Sequence, residues 1–324
     1  MKQDLDTAPR EAIDLMAHIP GNQKGIFMHV FVTGATGHIG SAVVAELLAA
    51  GHQVTGLARS DAGAATLRAA GATPRRGDLD DLDGLRAAAA ASDGVIHLAF
   101  KHDFDDFAAA AETDLRAVRA IGGALVGSDR PFVSTSGTLL LSLLGQGGTA
   151  TEQDTVAGGP RVDSENAVIA LAERGVRSSV VRLAPLVHSD LDHHGFAHHL
   201  INVARDTGVS GYIGDGANRW PGVHTLDAAR LYRLALEKAP AGTRLHGVAD
   251  EGVPFRDIAA VIGRHLNVPT SSIAAENAGH FGFLALFASL DNPTSNALTQ
   301  KILDWHPEGP GLLEDLDAGH YFGE

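Results

Sequence analysis

The chain of 324 residues contains no cysteine. Disulfides, thiolate nucleophiles and cysteine-held metals are therefore excluded, and the composition fits a reducing cytoplasm. Cationic residues are scarce: 25 Lys+Arg against 39 Asp+Glu give a formal charge of −14. Nucleic acid needs a basic face, so no such partner is expected. No apolar run reaches the ~18 residues that span a bilayer, so no membrane partner is expected either. Residues 1–27 carry Asp4, Asp6, Glu11 and Asp14 and lack a long apolar stretch. They read as an N-terminal extension rather than an export or transit signal.

What is present is a hydrophobic fraction of 44%, enough to build a full core. Strand-like and helix-like segments alternate from Met28 onward. Strands are expected at 28–33, 53–58, 72–76, 94–99, 131–136 and 176–183. Helices are expected at 38–50, 61–70, 81–91, 104–127 and 161–174. This rhythm predicts an α/β fold, a Rossmann-type doubly wound parallel sheet. After Pro185 the rhythm breaks, and helices near 195–207, 225–238, 254–266 and 295–303 accompany short strands near 222–224 and 245–249. The expected organisation is a dinucleotide-binding domain at 28–185 and a smaller substrate lobe at 186–324, interleaved with the end of the sheet.

The sharpest motif follows the first strand: Thr33-Gly34-Ala35-Thr36-Gly37-His38-Ile39-Gly40, then an alanine-rich helical stretch. Glycines let the backbone approach a pyrophosphate, and a helix N-terminus offers it free N–H groups and a positive dipole. At the end of the second strand an acidic residue bonds a ribose 2′-hydroxyl, whereas an arginine accepts a 2′-phosphate. Arg59 and Ser60 stand there, favouring NADP over NAD, with Asp61 one step later acting in the opposite sense.

These pieces, with Gly77-Asp78-Leu79, His97-Leu98-Ala99, Val133-Ser134-Thr135-Ser136-Gly137 and Val181-Arg182-Leu183-Ala184-Pro185, resemble the extended short-chain dehydrogenase/reductase superfamily, in its NAD-dependent epimerase/dehydratase group. The likeness runs over roughly residues 28–310. It implies that Gly34, Thr36, Gly37, His38, Ile39 and Gly40 hold the pyrophosphate and that Asp78 and Leu79 flank the adenine. It implies that Ala99 and Phe100 line the nicotinamide side, and that Ser136 orients the substrate. The group's Tyr-x-x-x-Lys signature is missing. In register, Arg161 takes the tyrosine position and Glu165 the lysine position, and Tyr212, Tyr232 and Tyr321 all lie elsewhere in the sequence. Arg161 and Glu165 lie four apart, so they read either as an ordinary surface pair or as Arg161 facing the pocket. An arginine stays charged and is a poor proton donor.

Histidine is abundant, with 17 residues, and five cluster after the sixth strand: His188, His193, His194, His198 and His199. His188 is the first candidate for an acid near neutrality and His102 the second. His194 and His198 have a helical zinc spacing, but no acidic residue completes the pattern, so no metal is expected. Asn218, Arg219 and Trp220 suit a substrate wall, and equally a loop pinned by a buried tryptophan.

The expected activity is an NADP-dependent oxidoreductase acting on a small carbonyl or hydroxyl compound, with Ser136, Arg161 and His188 at the reacting centre. Its rivals are a nucleotide-binding sensor without turnover and an epimerase using transient oxidation. The resemblance also implies a possible homodimer through the helices at 104–127 and 161–174. Leu115, Val118, Ile121, Val168 and Leu171 would then face outward; otherwise they face the sheet.

Overall fold

A computed structural model describes residues 27–101, 106–144 and 147–323. The expected extension, save Phe27, and the candidate His102 lie outside the described residues. Along the first half the order is β1 (His29–Thr33), α1 (His38–Ala49), β2 (Gln53–Ala58), α2 (Asp61–Ala69), β3 (Thr73–Arg76), α3 (Leu82–Ala90), β4 (Gly94–His97), α4 (Phe107–Leu125), β5 (Pro131–Gly137), α5 (Val162–Ala170) and β6 (Arg177–Leu183). Expected boundaries fall within about three residues of these, the usual error for element ends. The helices start where side chains can cap them. Ser60 caps α2 and Asp81 caps α3, each accepting from a backbone N–H three residues on.

The second half holds β7 (Leu186–His188), α6 (Phe196–Thr207), β8 (Ser210–Ile213), β9 (Arg219–His224), α7 (Thr225–Lys238), β10 (Thr243–Gly247), β11 (Asp250–Pro254), α8 (Phe255–Leu266), β12 (Thr270–Ile273), α9 (Ala297–Leu303) and α10 (Leu312–Asp317). Strands β7, β8, β11 and β12 and a 3₁₀ stretch at Ala275–Leu286 were not foreseen. These strands have three to five residues each and pair only with one another and with β9, so little local pattern marks them.

The main sheet has seven strands in the order β10-β6-β5-β4-β1-β2-β3, and its pairings are all parallel. β10 comes from the second half of the chain, which ties the two halves into one sheet. The order reverses at β1, between β2 and β4. A doubly wound sheet opens its ligand crevice at this switch point, beyond the carboxyl ends of the strands. One core layer joins the sheet to α1 and α7, another joins it to α3, α4 and α5, and a third lies under α6, α8 and α10.

Val118, Ile121, Val168 and Leu171 belong to the core against the sheet, and Leu115 is buried too. The outward side of α4 carries Glu112, Arg116 and Arg119. The outward apolar stripe considered for a homodimer is thus absent, because the sheet claims those side chains.

Glu165 of α5 is buried, and the guanidinium groups of Arg182 on β6 and Arg244 on β10 both bond its carboxylate. Breaking such a buried pair from one side typically costs about 3–5 kcal/mol. Beside it, fully buried His246 donates from Nδ1 to Ser295 O at 2.7 Å, which leaves Nε2 to face the Arg182 Nη1 at 3.4 Å. Burial pushes the His246 pKa down from 6.5 to about 4; the Ser295 carbonyl opposes this and the Arg182 charge assists it. Below about pH 6.5 the unfolded chain binds this proton and the folded chain does not. Stability should therefore fall as the pH drops through the window from 6.5 to about 4, and this contribution should level off beneath it. Replacing His246→Asn should flatten that slope, as read by denaturant unfolding at about pH 7 and about pH 5. An unchanged slope would assign the pH dependence to other groups.

Candidate active site

β1 runs into a turn that only glycine permits. Gly34 has φ +70°, and a Cβ there would lie 2.7 Å from the Ala99 nitrogen of the loop after β4. A Cβ on Gly40 would lie 2.0 Å from Gly34 O, so α1 rests directly on the turn. Gly37 N–H donates to Gly34 O at 3.0 Å and closes it. Gly37 is also the N-cap of α1, with no side-chain cap and no acidic residue in the first turn. The N–H groups of that turn are left to an anion, so Gly34, Thr36, Gly37, His38, Ile39 and Gly40 can cradle a pyrophosphate.

At the far end of this groove Arg59 is exposed directly after β2. The Ser60 hydroxyl is spent on capping α2, accepting from Gly63 N at 3.1 Å. Asp78 shapes its own loop, accepting from Asp80 N at 2.9 Å and Asp81 N at 3.2 Å, and Leu79 is buried beside it.

At the near end a chain of polar contacts runs beneath the sheet edge. Ala99 N donates to Thr33 Oγ1 at 3.3 Å, and Thr33 Oγ1 lies 2.7 Å from His97 Nδ1. His97 Nε2 lies 3.2 Å from Asp114 Oδ1, and Asp114 Oδ2 pairs with Arg161 Nη1 at 3.0 Å. The Asp114 carboxylate can only accept, so His97 donates to it from Nε2. Burial alone would raise the Asp114 pKa, but the Arg161 charge and the His97 bond outweigh it and hold the carboxyl below its ordinary value. Arg161 Nη2 also donates to Thr135 O at 2.9 Å, and its guanidinium carbon sits 4.1 Å from the Phe100 ring centroid. Its backbone has φ +67°, a conformation that costs a non-glycine residue roughly 1–3 kcal/mol. Three side-chain contacts therefore hold a strained residue at one point on the sheet edge. Sequence reasoning missed Asp114 and His97, although a buried-looking Asp and His bracketing one loop were a signal.

Several expectations change. Arg161 and Glu165 do not pair: each has its own partners, because Arg161 precedes the helix and does not share its geometry. The Ser136 hydroxyl is buried beside Glu165 without a well-aligned hydrogen bond, so it is not open to a substrate carbonyl. His188 is fully buried rather than at a pocket mouth. Its Nδ1 bonds Asp315 Oδ2 at 2.9 Å, its ring meets that of His224, and its Nε2 has no hydrogen-bond partner. Trp220 is buried in the second core and donates to Leu290 O; Asn218 holds Ala288 O and Leu290 O; Arg219 grips Asp291. The trio pins the 288–291 segment. His198 and His199 each bond a backbone carbonyl.

The structure brings forward His38 instead. Its Nε2 lies 2.6 Å from Thr225 Oγ1 and its Nδ1 3.5 Å from Asp192 Oδ1, joining the glycine turn to the second half of the chain. Burial lowers the His38 pKa, Asp192 opposes this, and His193, His188 and His198 reinforce it.

Residues 30–126 match the model of the NAD dependent epimerase/dehydratase family. The chain is 50% identical over 296 residues to the uncharacterized protein C2A9.02 of Schizosaccharomyces pombe, covering 91% of this chain and 100% of that one. It is 45% identical over 299 residues to the uncharacterized protein YLL056C of Saccharomyces cerevisiae, covering 90% and 99%. Among solved structures it superposes on DesIV, a dTDP-glucose 4,6-dehydratase from Streptomyces venezuelae with NAD and TYD bound. The TM-score is 0.71 at 21% identity, over 91% of this chain and 98% of that one. Sheet order, glycine turn and these likenesses agree: the chain belongs to the NAD-dependent epimerase/dehydratase family.

Proposed function

We propose that this protein is an NADP-preferring oxidoreductase that acts on a small carbonyl or hydroxyl compound through Arg161. The observation that carries the reading is the guanidinium fixed over Phe100 by Asp114 and Thr135, at the sheet edge where the glycine turn opens. The turn fits a dinucleotide, since Gly34 and Gly40 let backbone pack directly against backbone and the N-terminus of α1 carries no side-chain cap. Exposed Arg59 suits a 2′-phosphate. A bound reduced nicotinamide would supply the hydride.

The chain's own contribution is electrostatic. Arg161 is at once ion-paired and partly open, so it favours a neutral carbonyl oxygen over a second carboxylate. Negative charge growing on that oxygen during reduction would be stabilised by the remaining guanidinium N–H groups, already oriented and in a partly dry setting. The proton that completes the alcohol comes from water or from His38, since arginine keeps its own. Glu165 takes no part, because its carboxylate is committed to Arg182 and Arg244.

The same commitment favours a second reading. With both signature positions locked in ion pairs, a nucleotide sensor without turnover also fits. The two separate in a screen of small aldehydes and ketones with NADPH: oxidation of NADPH identifies the enzyme, whereas tight binding with no oxidation identifies the sensor.

Titration followed by nicotinamide fluorescence should show NADPH bound more tightly than NADH, and Arg59→Asp should erase that preference. Equal affinity of the wild type for both would remove the NADP reading. Arg161→Ala should lower kcat/KM for the carbonyl by about 100-fold or more, the usual effect of losing one oriented donor, and leave NADPH affinity nearly unchanged. Unaltered turnover would take Arg161 out of the reaction.

A further inference from the structure

The parallel register of β2 and β3 sets Arg76 beside Ala58, the residue before Arg59. Ala58 packs into the core on the side of α1 and α2. In-register neighbours of a sheet project to the same face, so Arg76 leans toward the start of α2. Its contacts agree: Arg76 Nη1 reaches Ala58 O at 3.5 Å, and its Nε lies 3.7 Å from Oδ1 of Asp61, the first residue of α2. The glycine turn closes the same corner, since a Cβ on Gly63 in that first turn would lie 3.5 Å from Thr36 Cγ2. Arg59, Arg76 and Asp61 are all exposed. Two arginines thus stand at the adjacent ends of β2 and β3 in a chain whose formal charge is −14, and among the described residues only Asp61 is drawn into an ion pair with Arg76.

We propose that Arg76 is the second arm of a clamp for the ribose 2′-phosphate of NADP, and that Asp61 is the counter-ion this phosphate displaces. The inference rests on the NADP reading and adds to it a residue from another strand and an opposing charge. A dianionic phosphate between two arginines gains charge-assisted hydrogen bonds from both. A bare 2′-hydroxyl carries no charge for Arg76 to match and leaves the Arg76–Asp61 pair intact. Asp61 therefore sets the margin: it repels the phosphate and competes for Arg76, so selectivity depends on the balance between one carboxylate and two guanidinium groups.

The test is calorimetric titration of the full chain and its variants with NADPH, NADH, adenosine 2′-monophosphate and adenosine 5′-monophosphate. Arg76→Ala should weaken NADPH and the 2′-monophosphate by about tenfold or more, with NADH and the 5′-monophosphate changed by less than about twofold. Asp61→Asn should tighten NADPH severalfold and leave NADH alone, and Arg76→Lys should retain part of the wild-type preference. A wild type that prefers NADPH, loses that preference with Arg59→Ala and keeps it with Arg76→Ala would overturn the clamp while leaving the NADP reading in place. A wild type without preference overturns both. Equal weakening of NADPH and NADH by Arg76→Ala would make Arg76 a clip between β3 and α2, and would also overturn the clamp.

Discussion

The buried carboxylate of Asp114 is the constraint on which the candidate site depends. A carboxylate out of water must be paired or protonated. Here Arg161 supplies a charge and His97 a hydrogen bond, and together they outweigh burial and hold the carboxyl below its ordinary pKa. The pairing works in both directions. Asp114 needs the cation, and the cation is thereby drawn off the helix it precedes, into a backbone conformation it would otherwise avoid. Phe100 and the Thr135 carbonyl complete its surroundings. Thr33 carries the chain back to the glycine turn, so the dinucleotide groove and the guanidinium belong to one rigid unit.

Replacement of the family's tyrosine and lysine has unequal consequences at the two positions. Arg161 remains at the crevice. Glu165 has turned inward and become the anion that lets β6 and β10 each carry a buried or half-buried arginine. A lysine at that position would meet Arg182 and Arg244 as a third like charge, so the change at Glu165 and the arginines of β6 and β10 make sense only together. No lysine stands at that position of α5, and the glycine turn and Arg59 lie on other elements of the crevice.

Much of the fold is legible in the sequence because a parallel βα rhythm is a local property: β-branched runs, alanine-rich helices and terminal glycines recur at short range. The glycine turn is legible for the same reason, since Gly34 and Gly40 answer to steric demands of neighbouring backbone. The partnerships of the site are not local. Asp114 lies on α4 and Arg161 before α5, and nothing in either segment names the other. The spacing of Arg161 and Glu165 suggested a helical pair, and failed because residue 161 caps the helix instead of joining it. Asn218, Arg219 and Trp220 read alike whether they line a cleft or pin a loop; the acceptors that they pin, at Ala288, Leu290 and Asp291, lie far along the chain. His188, which the sequence places at a pocket mouth after Pro185-Leu186-Val187, is instead fully buried and bonded to Asp315 of α10, far along the chain.

His38 shows why the two halves of the chain act together. It begins α1, so its backbone belongs to the anion-binding turn, while its ring reaches Thr225 at the start of α7 and Asp192 before α6. Thr225 in turn meets the Ser189 hydroxyl and the His188 carbonyl, and Tyr321 near the end of the chain meets Ser189 N and Asp192. The first turn of α1 therefore carries the residue that fastens the second half of the chain. Thr225 gives its only hydroxyl proton to the His188 carbonyl, so His38 donates to it from Nε2, and protonating the ring keeps that bond while strengthening the pairing of Nδ1 with Asp192. The glycine turn and the second half of the chain thus meet through one side chain, without any long-range path through the core.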